Sequence, residues 1–256
     1  MMSKVISVIN QKGGVGKTST CIALNAGLKS VGTYHTLLID LDAQGNLSYA
    51  VNADTSEYNA LRVLQRPEKV LDEIKGSKQG DIIASTPTLT NAEAVITEVG
   101  KEYRLKEAIN HISNEYDYII IDTPPALSIL TINALTASDY VIIPAQADVF
   151  SLQGIAQLNQ TIETVKKYTN PKLNVLGILL CRHNPRTNLT QHLTALIEDT
   201  ANALNTTVFN SKIREAVAVK ESQAFQSNIF EYAKNSNVAE DYQTFVDEVL
   251  ERIKHA

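Results

Sequence analysis

The chain has no tryptophan, two cysteines and 6% aromatic residues among its 256 positions. So few aromatic rings leave little material for a platform that stacks the bases of single-stranded nucleic acid. Cys21 and Cys181 lie far apart, each inside an apolar run, and read as reduced thiols of an intracellular core, not as a disulfide framework or metal cluster. No apolar run approaches the roughly 18 residues of a membrane-spanning helix. The opening MMSKVISVINQKGG reaches a lysine and two glycines too soon for a secretory leader. Neither sign of charge dominates: Lys+Arg 23 against Asp+Glu 28 gives a net charge of −5, which excludes a protein basic throughout and wrapped in nucleic acid. His35, His111, His183, His192 and His255 are too dispersed to suggest a metal cluster. No G-x-S-x-G element or Cys/His pairing recommends nucleophilic catalysis. These absences point to a cytoplasmic globular protein.

What is present is an alternation of short β-branched runs with longer amphipathic stretches. The runs cover 4–9, 36–40, 81–85, 118–122, 140–144 and 174–181, and most are continuously apolar, as strands buried on both faces are. Helices are expected at about 17–31, 90–98, 102–114, 151–168, 189–204 and 236–254. The last has Val238, Tyr242, Phe245, Val246, Val249, Leu250 and Ile253 near a 3.6-residue period. Right-handed crossovers then give an α/β fold with one doubly wound, mostly parallel sheet and helices on both faces. No repeat or linker-like tract divides the chain, so 1–256 is expected to form one domain.

The first strand runs into Asn10-Gln11-Lys12-Gly13-Gly14-Val15-Gly16-Lys17-Thr18-Ser19 and then helix. Strand, glycine-rich turn and helix is the context of a phosphate-binding loop. Glycines let backbone amides close around phosphate oxygens, and the helix N-terminus adds partial positive charge. Lys17 then reaches the β- and γ-phosphates and the Thr18 hydroxyl ligates Mg²⁺. The strict G-x-x-x-x-G-K-[ST] pattern needs glycine at position 11, where this chain has Gln11.

That departure carries a resemblance. KGGVGKT resembles the deviant Walker A motif of the ParA/MinD/nitrogenase-iron-protein superfamily, whose additional signature lysine is matched by Lys12. Asp40-Leu41-Asp42-Ala43-Gln44-Gly45-Asn46 resembles the family's D-x-D-P-Q-G-N, with Ala43 in place of proline. Asp122, after three isoleucine-rich positions, matches Walker B. Val141 to Asp148 looks like the ParA segment ending in P-x-Q-x-[ED], and Gly154 to Leu158 like the helix that follows. Ile213 to Ser222 is similar to IRRNVAVREA, and Arg186-Thr187-Asn188 to the R-T-N turn. Nearly the whole chain is covered, which narrows the resemblance to ParA-type partition ATPases, in the short form whose sequence begins almost at the first strand.

The resemblance implies a P-loop fold, ATP and Mg²⁺, and a homodimer that sandwiches two ATP molecules. It implies nucleotide binding by Lys12, Gly13, Gly14, Val15, Gly16, Lys17, Thr18 and Ser19, and metal binding by Thr18, Asp40 and Asp122. Lys12, Lys17 and Asp42 take the catalytic roles: Lys12 reaches the partner's ATP, and Asp42 orients the attacking water. No N-K-x-D guanine-reading element occurs, which favours ATP over GTP. It also implies sequence-independent DNA binding, a ParB-like centromere-binding partner and a nucleoid-associated location. From Lys166 to Lys220 the chain carries +5 against −10 in the remainder, a footprint for a phosphate-binding face at Arg186, Lys212, Arg214 and Lys220. Glu215 stands where many relatives have a second arginine. Three other readings share the chemistry. A MinD-like membrane-positioning ATPase needs a basic amphipathic C-terminal helix, which the acidic 239–252 segment does not resemble. A metal-cluster carrier needs a suitable cysteine pair, and an orphan relative would position a protein cargo.

Overall fold

The computed structural model describes residues 3–32, 34–55, 59–184, 187–203 and 205–256. Seven strands form one sheet in the order β3-β4-β2-β5-β1-β6-β7. They are β1 (Lys4–Val8), β2 (Thr36–Asp40), β3 (Lys75–Ser77), β4 (Gly80–Ile83), β5 (Tyr118–Asp122), β6 (Tyr140–Ala145) and β7 (Asn174–Leu180). All neighbours pair in parallel except β3, which runs antiparallel to β4. The sequence expectation of a mostly parallel sheet holds. Residues 75–77 were not expected as a strand: Lys-Gly-Ser is short and polar, and forms a two-residue-turn hairpin with β4.

Alternate side chains of each strand enter opposite layers, as a two-residue period requires. From β5, Tyr118 and Ile120 join a core with Leu24 and Leu28 of α1 (Lys17–Val31) and Phe245 and Val249 of the C-terminal helix. Ile119 and Ile121 face the other way, toward Leu105 and Ile109. A third cluster lies under β6 and β7, where Val141, Ile143 and Ile178 meet Ile155, Leu158 and Ile197. Helices therefore cover both faces, and burying continuous Ile/Val/Leu strands this way is the main source of stability.

Between β2 and β4 lie the short helices α2 (Asn46–Ala50), α3 (Ala60–Gln65) and α4 (Val70–Glu73). The helix expected over 90–98 is reduced to a 3₁₀ turn, Pro87–Asn91, and one turn of α5 (Ala92–Val95). Leu89, Ala92 and Ile96 are all buried, so packing anchors this segment without a full helix. Next come α6 (Arg104–Ile112), α7 (Ile129–Ala137), α8 (Val149–Tyr168), α9 (Asn188–Ala203), α10 (Val217–Ala224), α11 (Ile229–Tyr232) and α12 (Asn237–His255). α7 was not expected, because ILTINALTA lacks the polar face that marks a helix in sequence. α12 buries Val238, Tyr242, Phe245, Val246, Val249 and Leu250. It crosses α1 so closely that a Cβ on Gly27 would sit 2.5 Å from Val246 Cγ2. Its apolar stripe is thus packed into the core; among the described residues no helix is long and apolar enough to cross a membrane.

The outer edge of β7 is occupied. Ile178 N donates to Thr207 O and Phe209 N to Ile178 O, while Ile213 N donates to Leu180 O and His183 N to Ile213 O. Segment 206–213 thus lies along β7 as a partial strand.

Candidate nucleotide and metal site

β1 lies between β5 and β6, so the loop that follows it emerges at the carboxyl edge of the sheet with a strand end on each side. In open parallel sheets this edge is where ligands bind. Gly14 and Gly16 take φ of 74° and 104°, conformations that L side chains rarely adopt. Gly13 and Gly14 face open space, whereas a Cβ on Gly16 would lie 3.3 Å from Cys181 Sγ. Asn10 Nδ2 donates to Pro144 O at 2.7 Å and Gln146 Nε2 to Gly14 O at 3.4 Å, tying the loop to the end of β6. Gly16 caps α1 without a side chain, leaving the first amides of α1 directed at the loop.

Lys17 is buried and donates to the carbonyls of Asn10 (3.0 Å) and Lys12 (3.3 Å). Desolvation lowers its pKa, partly offset by the charges of Asp122 and Asp42. Thr18 Oγ1 donates to Asp122 Oδ2 at 2.6 Å. Asp122 is 1% exposed, and its other oxygen, Oδ1, is buried with no hydrogen-bond partner. Burial first, then the nearby Asp40 carboxylate, pushes Asp122 up, more than Thr18 and Lys17 pull it down. Asp40 and Asp122 are register partners on adjacent strands. Asp40 is fully buried and accepts from Ser48 N (2.8 Å), Ser48 Oγ (2.7 Å) and Asp42 N (3.1 Å). Its pKa is raised by burial against those bonds. Asp42 is half-exposed; its Oδ1 accepts from Gln44 N, and its carbonyl from Ser85 Oγ.

Two acids clustered at a strand edge, one with an orphaned buried oxygen, form a site of excess negative charge. Removing a carboxylate from water is costly unless a cation or donors compensate. A hard, oxygen-seeking Mg²⁺ fits this donor set: a hydroxyl, a carboxylate and room for waters and phosphate oxygens. Asp40 is already satisfied by Ser48 and Asp42, so it suits an outer position.

Lys12 is drawn to the other flank. Its Nζ donates to Asp148 Oδ2 at 2.5 Å, and Asp148 Oδ1 caps α8 by accepting from Ser151 N at 2.9 Å. Ser19 accepts from Gln223 Nε2 of α10 at 2.9 Å. Beside Gly16 and Ser19 opens a recess of about 190 Å³ lined by Arg182, Ile213, Val217 and Gln223 among others. Sequence reasoning missed Arg182, Gln223, Ser48 and the pairing of Asp148; Asp148 alone carried a signal, at the end of the P-x-Q-x-[ED] match. A larger groove of about 1080 Å³ by Lys29, Gln79 and Asn228 lies away from these residues. Its buried polar groups satisfy one another.

The residues expected to meet DNA are split. Lys220 and Arg214 are exposed and Lys212 half-exposed, while Arg186 lies outside the described residues. The Arg214 fork is bidentate to Asp241 of α12, with Nε at 2.6 Å and Nη2 at 2.7 Å, so its charge is already compensated.

A family model described as an AAA domain matches residues 3–175. The sporulation initiation inhibitor protein Soj of Bacillus subtilis is 37% identical over 97% of this chain and 98% of its own length. The chromosome partitioning protein ParA of Myxococcus xanthus is 36% identical over 98% of this chain and 89% of its own. Among solved structures, a cobyrinic acid a,c-diamide synthase from Mycobacterium smegmatis with bound ADP and magnesium superposes with a TM-score of 0.85 at 30% identity, covering 99% of this chain and 96% of that one.

Proposed function

The chain belongs to the ParA/MinD type of P-loop ATPase, and on that premise we propose that it is a partition ATPase whose ATP-bound homodimer binds DNA without sequence preference and answers to a ParB-like partner. The observation that carries this reading is the convergence of Lys17, Thr18 and Asp122 at one strand edge, with Asp122 Oδ1 buried and unpartnered. In this reading Thr18 and Asp122 hold Mg²⁺, with Asp40 behind them. When bound, the ion neutralises charge on the β- and γ-phosphate oxygens.

The remaining work falls to the chain. Amides of Lys12 to Thr18 and the start of α1 cradle the phosphates. Lys17 exchanges two carbonyl partners for phosphate oxygens, a gain because its ammonium is already desolvated. Asp42, half-exposed beside the loop, holds the water that attacks the γ-phosphorus in line as the bond to the β,γ-bridging oxygen breaks. Lys12 compensates charge on the nucleotide of the other subunit, which makes dimerisation depend on the triphosphate. Support for the nucleotide comes from the ADP and magnesium in the related synthase structure; support for partition comes from the names of the Soj and ParA relatives.

Light scattering with ATP, ADP or no nucleotide, alongside phosphate release, tests the proposal. A dimer that requires ATP and Mg²⁺, with Lys12→Ala folded but monomeric and inactive, is the expected result. An undiminished ATP dimer in Lys12→Ala would sink the role of Lys12, and no ATP turnover with DNA and partner present would sink the enzyme.

A further inference from the structure

The Lys12–Asp148 pair is built, not incidental. Both side chains are about 30% exposed (30% and 29%); the carboxylate is fixed by a second bond and the lysine by its backbone. Asp148 is held by capping α8 through Ser151 N. Lys12 N donates to Asn10 Oδ1 at 2.9 Å, and Asn10 in turn donates to Pro144 O. Part of the ordering entropy that weakens most half-exposed ion pairs, that of the carboxylate and of the lysine's backbone, is therefore met by the helix cap and the loop. Burial would raise the Asp148 carboxyl, but the bonds from Lys12 and Ser151 outweigh it and hold it below the ordinary carboxylate range.

We infer that Asp148 is a positioning residue that parks Lys12 in its own subunit and thereby sets the threshold for dimerisation. The inference rests on the reading of Lys12 as the residue that crosses to the partner's phosphates. To cross, its ammonium leaves Asp148, so the pair stabilises the monomer alone, and a ligand or partner shifts the equilibrium only by its differential contacts. In a two-fold dimer both pairs open together. A pair of this exposure and charge-assisted geometry is worth about threefold to tenfold in an equilibrium, so two of them weaken the dimer by about tenfold to a hundredfold. The same contact favours triphosphate over diphosphate, since the additional phosphate charge draws Lys12 from Asp148.

The test separates the pair from the helix cap. Asp148→Asn keeps a capping oxygen, Asn being as good an N-cap as Asp, but removes the charge; Asp148→Ala removes both. In nucleotide-free protein, acetylation of Lys12 by an amine-selective reagent is followed by mass spectrometry, with the exposed Lys254 as internal reference. Lys12 in Asp148→Asn is expected to react at least about threefold faster than in the wild type. With Mg²⁺ and a non-hydrolysable ATP analogue, light scattering should find the Asp148→Asn dimer at a protein concentration about tenfold or more lower. Unchanged acetylation overturns the pairing. Faster acetylation with an unmoved dimerisation threshold overturns its role. A shift in Asp148→Ala but not in Asp148→Asn assigns the effect to the cap and also overturns it. A wild type that never dimerises with the analogue removes the underlying reading and the proposal with it, a failure visible before any variant is compared.

Discussion

Asp122 is a carboxyl group that the fold makes harder to ionise than it is in the unfolded chain. One oxygen is bonded to Thr18 and the other to nothing, with Asp40 beside it on the next strand. Its raised pKa means that the folded protein binds this proton more tightly than the unfolded chain. The stability so conferred is complete below the ordinary carboxylate value and is lost as pH rises through the folded value of about 8. Asp122→Asn should therefore raise the stability of metal-free protein at pH 7 by about 1–3 kcal/mol and flatten its dependence on pH, while abolishing ATP turnover. Thermal unfolding in chelator between pH 5 and 8 measures this, and a lower midpoint for the variant would contradict it. Gly16→Ala should act oppositely, costing about 1–3 kcal/mol from positive φ and the approach to Cys181; calorimetry would read it. Both positions were legible in sequence, because a glycine in a phosphate loop and an Asp ending an apolar run announce themselves locally. Gln223, Ser48 and the pairing of Asp148 with Lys12 were not, since these contacts lie in partners 204, 8 and 136 residues away.

α12 is joined to the segment along β7 by Glu248 and by Arg252, whose guanidinium donates to Thr207 Oγ1 and Val208 O. Glu248 accepts from Asn210 N and Ser211 N at 2.9 Å each and from Ser211 Oγ, and pairs with Arg252 at 2.7 Å. Burial would raise its carboxyl, but the Ser211 and Asn210 donors and Arg252 outweigh it and hold it below the usual range. This contribution is present above the unfolded value of about 4.3 and disappears as pH falls through the folded one. Glu248→Ala should cost about 2–4 kcal/mol at pH 7 by leaving the Asn210 and Ser211 amides without their acceptor, while Arg252 keeps the carbonyls of Leu176 and Val208 and the Thr207 hydroxyl. Denaturant melts at pH 7 and pH 3.5 check it: the gap between variant and wild type should shrink in acid. α12 itself was legible because its stripe is strongly periodic. α7, apolar on every side, and the three-residue β3 offered no such period, and the 90–98 expectation failed because three buried anchors do not require a continuous helix.

Strand order could not be read from the sequence: nothing local says that β5 inserts between β1 and β2, yet that insertion brings Asp122 beside the phosphate loop and Asp40 beside Asp122. The charge asymmetry was legible, and the ion pairs that modify it were not. On the proposed DNA-binding reading, Lys212→Ala and Lys220→Ala should each lower the slope of log affinity against log salt by about one. Arg214→Ala should change it less, because Asp241 already compensates that guanidinium. Equal slopes for all three variants, in fluorescence titrations on unrelated duplexes, would reject this ranking. The sheet margins carry a further consequence. One ends in the clipped, polar β3 of three residues running against its neighbour, and the other is lined by 206–213 bonded irregularly along β7. Open margins are where proteins recruit strands from one another and grow into fibres. With both margins short or irregular, copies of this chain have little backbone ladder to extend, and on the proposed reading their association falls to loops and helices that nucleotide hydrolysis can release.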